Sequence, residues 1–453
     1  MKKIILIIGS GIITLSAFAQ TKESASYSFS LSQAIDFAIQ NQKDIKNAVL
    51  DEALAQEKVN ETRGIGLPQI NASFDTKDFI DIPTTVIPGA GGGPFGGPPG
   101  SDAVLKFGAQ YTGTGGLDAT QMLFSADYFL GLKGTKVFLE ISSRSTQRTR
   151  IETEVAVSKA YYTVLINEER MKLMDANIAR VKKTMDDTKA LLDNGFVEKI
   201  DYDRLSVTYT NLLVEQEKIQ RLLGLGTYLL KFQMGMDINA ALTLTDKLQD
   251  VKLDVANVAS ADKFDYSKRI EYGLFETQYK LAQLDVKRQQ LSYLPNAFAY
   301  ASWSGNAFRT TYSIFATGTG FAWYPTTLIG AKVTMPIFTG LQRTARNQQA
   351  KLSLQKAENN MDFIKKSIDL DLASSLTSLK NASSSLESQK KNMSVAEDVV
   401  RVTKLKYEQG VGSNMEMITA ETALKEAQTN YYNALFDALI SKIDFDKANG
   451  NYK

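Results

Sequence analysis

The side chains that most enzymes and metal sites depend on are missing from this sequence. Its 453 residues include no cysteine and no histidine, which excludes disulfides, thiol nucleophiles, Ser-His-Asp triads and His/Cys zinc sites. Carboxylates remain, but Glu168-Glu169 and Asp186-Asp187 are neighbours in sequence that point apart on a helix. They suit solvated faces better than general acid–base pairs. The 12 methionines fall largely at apolar helical positions and read as packing filler rather than copper ligands. Nothing resembles a phosphate-binding loop, so no enzyme activity, cofactor or metal is expected. One spacing does stand out. Gly195 and Gly410 each close a long proline-free stretch, and each is followed six residues later by an acid, Asp201 and Glu416. An acid just inside a helix start meets the positive end of the helix dipole.

The elements around those glycines are long helices. Val157, Val164, Met171, Ile178, Met185 and Leu192 recur at seven-residue intervals, as do Leu372, Leu379, Leu386, Met393, Val400 and Tyr407. In the second series Ser375, Ala382, Gln389, Ala396 and Thr403 fall three positions further on. A large/small seam of that kind lets helices approach closely. The spacing predicts helices over Ala126–Asp193 and Leu341–Glu408; at ~1.5 Å per residue, 68 residues make ~100 Å of helix. After each glycine a return helix is expected, Glu198–Phe232 and Asn414–Ala448, so the glycines mark helix-hairpin tips. Shorter helices over Leu31–Gly66 and Arg269–Tyr293 run up to Leu67-Pro68-Gln69 and Leu294-Pro295-Asn296, since proline cannot continue a helix. Gly235–Phe264 reads as an irregular bridge.

The chain reads as two copies of one plan. From Phe124 to Gly195 is 71 residues, and from Phe338 to Gly410 is 72. From Pro68 to Phe124 is 56, against 43 from Pro295 to Phe338, and the excess of 13 falls on the Pro/Gly-rich stretch Pro83–Gly100. An insertion confined to one loop is what an internal duplication predicts.

Four strands are expected between the helices. Ile70, Ala72, Phe74 and Thr76 alternate with polar residues. Leu105, Phe107, Ala109 and Tyr111 do so in the same copy. Thr327, Ile329, Ala331, Val333 and Met335 do so in the second, and Ala297–Ser304, with Phe298, Tyr300 and Trp303, is the faintest. One apolar and one polar face suits a lipid-facing barrel wall with a wet interior. A half-buried soluble sheet has the same alternation, and Phe321, Trp323 and Tyr324 fit an interfacial girdle or a small core. Four strands cannot close a barrel alone, and bare edges are forbidden in lipid. If the strands enter a membrane, several copies must pool them.

The first 19 residues read as an address. Lys2 and Lys3 precede an apolar stretch from Ile4 to Leu15 and an Ala17-Phe18-Ala19 cleavage site. Removing the segment takes away two lysines and no acid, leaving 50 residues of each sign. A neutral mature chain argues against a nucleic-acid partner.

The order of these features resembles the TolC family of outer-membrane efflux proteins. The residues that carry the resemblance are Leu31-Ser32-Gln33-Ala34-Ile35-Asp36-Phe37-Ala38, Leu67-Pro68-Gln69-Ile70 and the two tips, over nearly the whole mature chain. The resemblance implies a mainly α protein with duplicated long helical hairpins. It also implies a homotrimer whose four strands per protomer make one 12-stranded β-barrel in the outer membrane, above an α-helical tunnel reaching into the periplasm. It implies further that the mouth at the tips is docked by a periplasmic adaptor and an inner-membrane pump. Gly195 and Gly410 match the tip glycines near the adaptor contact, and Asp201 and Tyr407 match members of the latch that holds the mouth shut. An arginine of that latch is replaced here by Gly412. Of the family's paired acids at the mouth, Glu416 fits one place and Thr419 occupies the other.

The organisation expected is thus a leader at 1–19, a first repeat at 20–235 with its tip at 193–197, and a linker at 236–264. The second repeat is 265–453, with its tip at 408–413. The function expected is a passive exit duct for a tripartite efflux or type I secretion system. The alternative is a soluble periplasmic coiled-coil scaffold. At the residues themselves, Asp201 and Glu416 also fit simple helix-start acids, and Tyr407 also fits the seam.

Overall fold

Helix-breaking residues set most of the element boundaries. The computed structural model describes residues 26–92, 94, 96–248 and 264–452; the leader at 1–19 and the bridge residues 249–263 lie outside the described residues. In chain order the elements are β1 (Ser26–Phe29), α1 (Leu31–Asn41), α2 (Lys43–Ile65), β2 (Gln69–Asp78), β3 (Thr84–Ile87), β4 (Ala103–Lys106), β5 (Tyr111–Phe124) and α3 (Ala126–Asp193). There follow α4 (Lys199–Met234), β6 (Ala241–Leu244), α5 (Ile270–Leu291), β7 (Asn296–Arg309), β8 (Tyr324–Thr334), α6 (Gln342–Glu408) and α7 (Asn414–Ala448).

The described chain divides into two units. One gathers β1, α1, β6, α4, α3 from Glu152, α6 from Ser375 and α7 up to Phe445. The other gathers α2, the remaining strands, α3 up to Ile151, α5 and α6 up to Ser374.

In the first unit, α3 and α4 form one hairpin and α6 and α7 a second. Along α6 the non-exposed positions include Leu379, Ala382, Leu386, Gln389, Met393, Ala396, Val400, Thr403 and Tyr407, so the expected seam is in place. Along α3 it is in place at Val157 and Val164, but nearer the tip the most buried side chains are Met174, Val181 and Thr188. These stand three residues on from the expected series and on the same face, where Met174 and Val181 pack with Leu212 and Ile219 of α4 and the half-buried Met171 and Ile178 flank them. The largest core cluster packs Ala34 and Ala38 of α1 against Val157, Ala160, Tyr161 and Val164 of α3 and Leu230 and Met234 of α4. The alanines are what allow α1 to lie so close.

Three local differences from expectation have clear causes. The helix expected over Leu31–Gly66 is two helices, because Gln42 adopts an extended conformation (φ −64°, ψ 132°). That break lies against Gly235, the left-handed C-cap of α4, where a Cβ would stand 2.8 Å from both Asn41 O and Gln42 Cα. The bridge is not wholly irregular: β6 pairs in parallel with β1. Asp246 fixes that pairing by accepting from Leu31 N at 2.8 Å, with the Tyr161 hydroxyl at 3.0 Å. Finally, the Pro/Gly-rich stretch is partly ordered, since Thr84–Ile87 pairs with Ala103–Lys106 as the hairpin β3–β4.

In the second unit β2, β5, β7 and β8 make a four-stranded antiparallel sheet in that order. The second strand is Tyr111–Phe124, not the stretch around Leu105–Tyr111 that alternation suggested. Its Gly113, Gly115 and Gly116 disguise it as a loop. The sheet uses those glycines for close approach: a Cβ on Gly116 would stand 2.6 Å from Trp303 O, and one on Gly113 2.8 Å from the Ile314 side chain. Arg269 ties the helices beneath together, reaching Glu271 at 3.0 Å, Asp371 at 2.9 Å and Ala448 O at 2.8 Å.

Candidate functional site

Two regions carry function-bearing geometry, the hairpin tips of the first unit and the sheet of the second. Each tip is built by the same backbone device. Gly195 (φ 77°) and Gly410 (φ 72°) sit just past the ends of α3 and α6 in the left-handed conformation that glycine adopts without steric cost. The next residue reaches back one residue further than the glycine does: Phe196 N donates to Leu191 O at 2.9 Å and Val411 N to Lys406 O at 3.0 Å. Both turns therefore throw an apolar side chain outward, and Phe196 and Val411 are each 77% exposed.

The sequence-expected acids behave differently from one another. Asp201 sits in the first turn of α4 and accepts from Asn414 Nδ2 through both its carboxylate, at 3.1 Å, and its carbonyl, at 2.9 Å. Glu416 lies in the first turn of α7, where its amide donates to Ser413 Oγ at 3.1 Å; its carboxylate is without a partner among the described residues. Tyr407 reaches Thr188, their hydroxyls 3.1 Å apart. Asp201 and Tyr407 thus join the two hairpins by separate contacts rather than through one shared network. At Gly412 a Cβ would stand 3.0 Å from Lys406 Cβ and Tyr407 N, so the tight turn itself disfavours a side chain there.

Sequence spacing missed the partners of those residues and a second set of links further along the hairpins. Arg180 of α3 approaches the Glu421 carboxylate of α7 at 2.9 Å and also donates to Asn177 Oδ1 at 2.6 Å. Asn177 in turn donates to Gln428 at 2.9 Å. Glu421 is only 8% exposed, and burial raises its pKa above the ordinary value, with Arg180 and Lys404 opposing the shift. One signal for this cluster was available, polar residues at positions that continue a buried helical face.

The register of the sheet sorts most of its residues by polarity. Ile70, Ala72 and Phe74 of β2 pair with Ala119, Leu117 and Gly115 of β5. Leu117 and Ala119 pair with Trp303 and Ala301 of β7, and Ala301 and Ala297 with Ile329 and Val333 of β8. All of these lie on one face. The other carries Asn71, Ser73, Asp75 and Lys77, then Thr112, Thr114 and Asp118, then Tyr300, Ser302, Ser304 and Asn306, then Lys332, with Phe298 and Leu328 as apolar exceptions. Ile70, Phe74, Leu117, Trp303, Ile329 and Val333 are all largely exposed. At one end of that face Trp323 lies over Gly115 and Gly305, and Phe315 stacks on Phe74 at 5.4 Å between ring centres. Among the described residues no helix is long and apolar enough to cross a membrane.

A chain with long helical hairpins and a sheet with one apolar face shares its fold with solved outer-membrane channels, and the sequence comparisons show likeness to outer-membrane efflux proteins. The family described as outer membrane efflux protein matches residues 276–451. The toluene efflux pump outer membrane protein TtgC of Pseudomonas putida is 22% identical over 349 residues, 76% of this chain and 69% of that one. The outer membrane protein TolC of Vibrio cholerae is 19% identical over 444 residues, 96% of this chain and 94% of that one. The open state of the Neisseria gonorrhoeae MtrE outer membrane channel superposes with a TM-score of 0.72 at 18% identity, over 93% of this chain and 88% of that one. The family is one of channels rather than enzymes, and these likenesses do not favour the soluble scaffold.

Proposed function

We infer that the protein is the outer-membrane exit duct of a tripartite efflux or type I secretion system. The observation that carries this reading is the four-stranded sheet, with its exposed apolar face and with β2 and β8 as unpaired edges. Lipid does not tolerate open edges, so the strands must be closed by copies of themselves. Three copies would supply twelve strands and a barrel, polar face inward. The helices support the same stoichiometry: Val207, Val214, Leu225 and Phe232 leave an exposed apolar stripe along α4 that needs a lateral partner.

In this reading the repeats at 20–235 and 265–453 are two versions of one unit. The links Asp201–Asn414, Thr188–Tyr407 and Arg180–Glu421 hold the two hairpins of a protomer together and keep the mouth narrow. Glu416, with its free carboxylate, faces the passage. Gly195 and Gly410 present Phe196 and Val411 to a periplasmic adaptor, and the inner-membrane pump supplies the energy. The Pro83–Gly100 loop lies outside the cell.

The decisive experiment is the native mass of the protein extracted from outer membranes in mild detergent, followed by conductance in a planar bilayer. A species three protomers in size that conducts ions supports the duct. A soluble monomer absent from the membrane fraction sinks it.

A further inference from the structure

Where the helices meet the sheet in the second unit there is a polar cavity of about 420 Å³, lined by Arg288, Arg343 and Arg346 with Ser292, Asn296 and a single acid, Asp127. The charge arrangement is unusual. Arg343 lies in the first turn of α6, which contains no acid, and Arg346 just beyond it, so two cations stand near the end of a 67-residue helix that is already positive. Such a helix start ordinarily gathers carboxylates. Arg288 of α5 adds a third guanidinium; it lies 3.1 Å from Asp285 and 3.6 Å from Asp127. Arg343 donates to Ser292 O and stacks over the Tyr293 ring at 5.5 Å, contacts that orient it without neutralising it. Arg346 is exposed and has no partner among the described residues.

The cavity also has a direction. Asn296, in its lining, belongs to the polar face of the sheet, and on that face Lys332 follows two residues before Thr334, the register partner of Asn296. Cations therefore continue from the cavity onto the lower polar face. Lys77 further along that face is by contrast paired with Asp75 at 2.7 Å.

We propose that this junction is an anion-receiving station inside the duct, which draws solutes bearing carboxylate, sulfonate or phosphate groups from the helical passage toward the barrel. Guanidinium groups and unpaired helix amides are the donors best matched to such oxyanions. The cavity is large enough for an anionic head with part of its apolar body, and the Tyr293 ring and Leu294 beside it supply apolar contact. The proposal rests on the duct reading, in which the polar face lines the passage and symmetry repeats the station in each protomer.

The test compares the full-length wild-type protein with Arg288→Ser/Arg343→Ser/Arg346→Ser in planar bilayers under a potassium chloride gradient. The expected result is a shift of the reversal potential toward cation preference, at least twofold in the chloride-to-potassium permeability ratio. Half-block by a trisulfonated pyrene should need about tenfold more probe. A variant with lysine at the same three positions keeps the charge, and it should restore selectivity even if the serine variant assembles poorly. An unchanged ratio in both variants, or a serine variant blocked as readily as wild type, overturns the station while leaving the duct intact. Absence of conductance from the wild-type protein overturns the duct, and this inference with it.

Discussion

The hairpin tips and the sheet solve the problem of unpaired polar groups in opposite ways. At and behind the tips, long-range links join the two hairpins of one chain: Asp201 to Asn414, Thr188 to Tyr407, and further along Arg180 to Glu421. In the sheet, β2 and β8 each leave one side of the ladder bare, and the apolar face is exposed from Ile70 to Val333. Tips of this kind can take shape in a single protomer, whereas the sheet, in the duct proposed above, is complete only with others. Assembly should therefore be controlled at the sheet and opening at the tips, and substitutions in the two regions should separate these effects.

The largest effect is expected at the sheet. Ile329, 80% exposed on the apolar face of an edge strand, would meet lipid in the assembled barrel. Arginine near the middle of a barrel's lipid face costs about 2–4 kcal/mol per copy, and a symmetric assembly carries that cost once per protomer. Ile329→Arg should abolish the stable oligomer in detergent extracts while the helical content seen by circular dichroism persists. Full assembly of this variant would mean that the face is not lipid-facing.

Behind the tips the strongest link between the hairpins is Arg180–Glu421. Removing one partner of a buried ion pair leaves the other charge uncompensated at a cost of about 3–5 kcal/mol, and less here because Arg180 is 29% exposed. Arg180→Ala should loosen the first unit, read as faster hydrogen exchange in α3 and α7, without lowering oligomer yield. Glu421 also gives the link a pH dependence. Burial raises its pKa above 4.5, so the folded state binds this proton more tightly than the unfolded state. The resulting stabilisation is complete below the unfolded value and is lost as the pH rises through the higher folded value. Protection of α7 should therefore increase on mild acidification, more steeply in Arg180→Ala, and Glu421→Gln should flatten the dependence. Protection that falls on acidification in the wild-type protein, and still falls in Glu421→Gln, would place the controlling group elsewhere.

The same contrast governs how much could be read from the sequence. Helices with a repeating apolar seam and a glycine stop are local patterns, and α3 and α7 match their expected bounds residue for residue. The strand Tyr111–Phe124 escapes sequence pattern because its glycines, which allow close contact with Trp303 and Ile314, carry no strand signal of their own. The tip residues Gly195, Gly410, Asp201, Tyr407 and Glu416 were visible through spacing. Their partners were not, because Asn414 lies 213 residues from Asp201 and Thr188 lies 219 from Tyr407. No periodicity links positions that far apart. The break at Gln42 was hidden for the same reason, since Gly235 belongs to a different helix.

The smallest effect is the one that separates packing from gating. Tyr407 ends a helical seam, so its ring fills space, and its hydroxyl meets that of the fully buried Thr188. Tyr407→Phe keeps the ring and removes only the hydrogen bond, worth about 0.5–1.5 kcal/mol. If the bond helps to hold the hairpins in the narrow arrangement, that loss should raise the open fraction of the conductance roughly two- to tenfold, with oligomer yield and thermal stability almost unchanged. Conductance indistinguishable from wild type would assign Tyr407 to the seam alone and leave Asp201–Asn414 and Arg180–Glu421 as the links that hold the mouth.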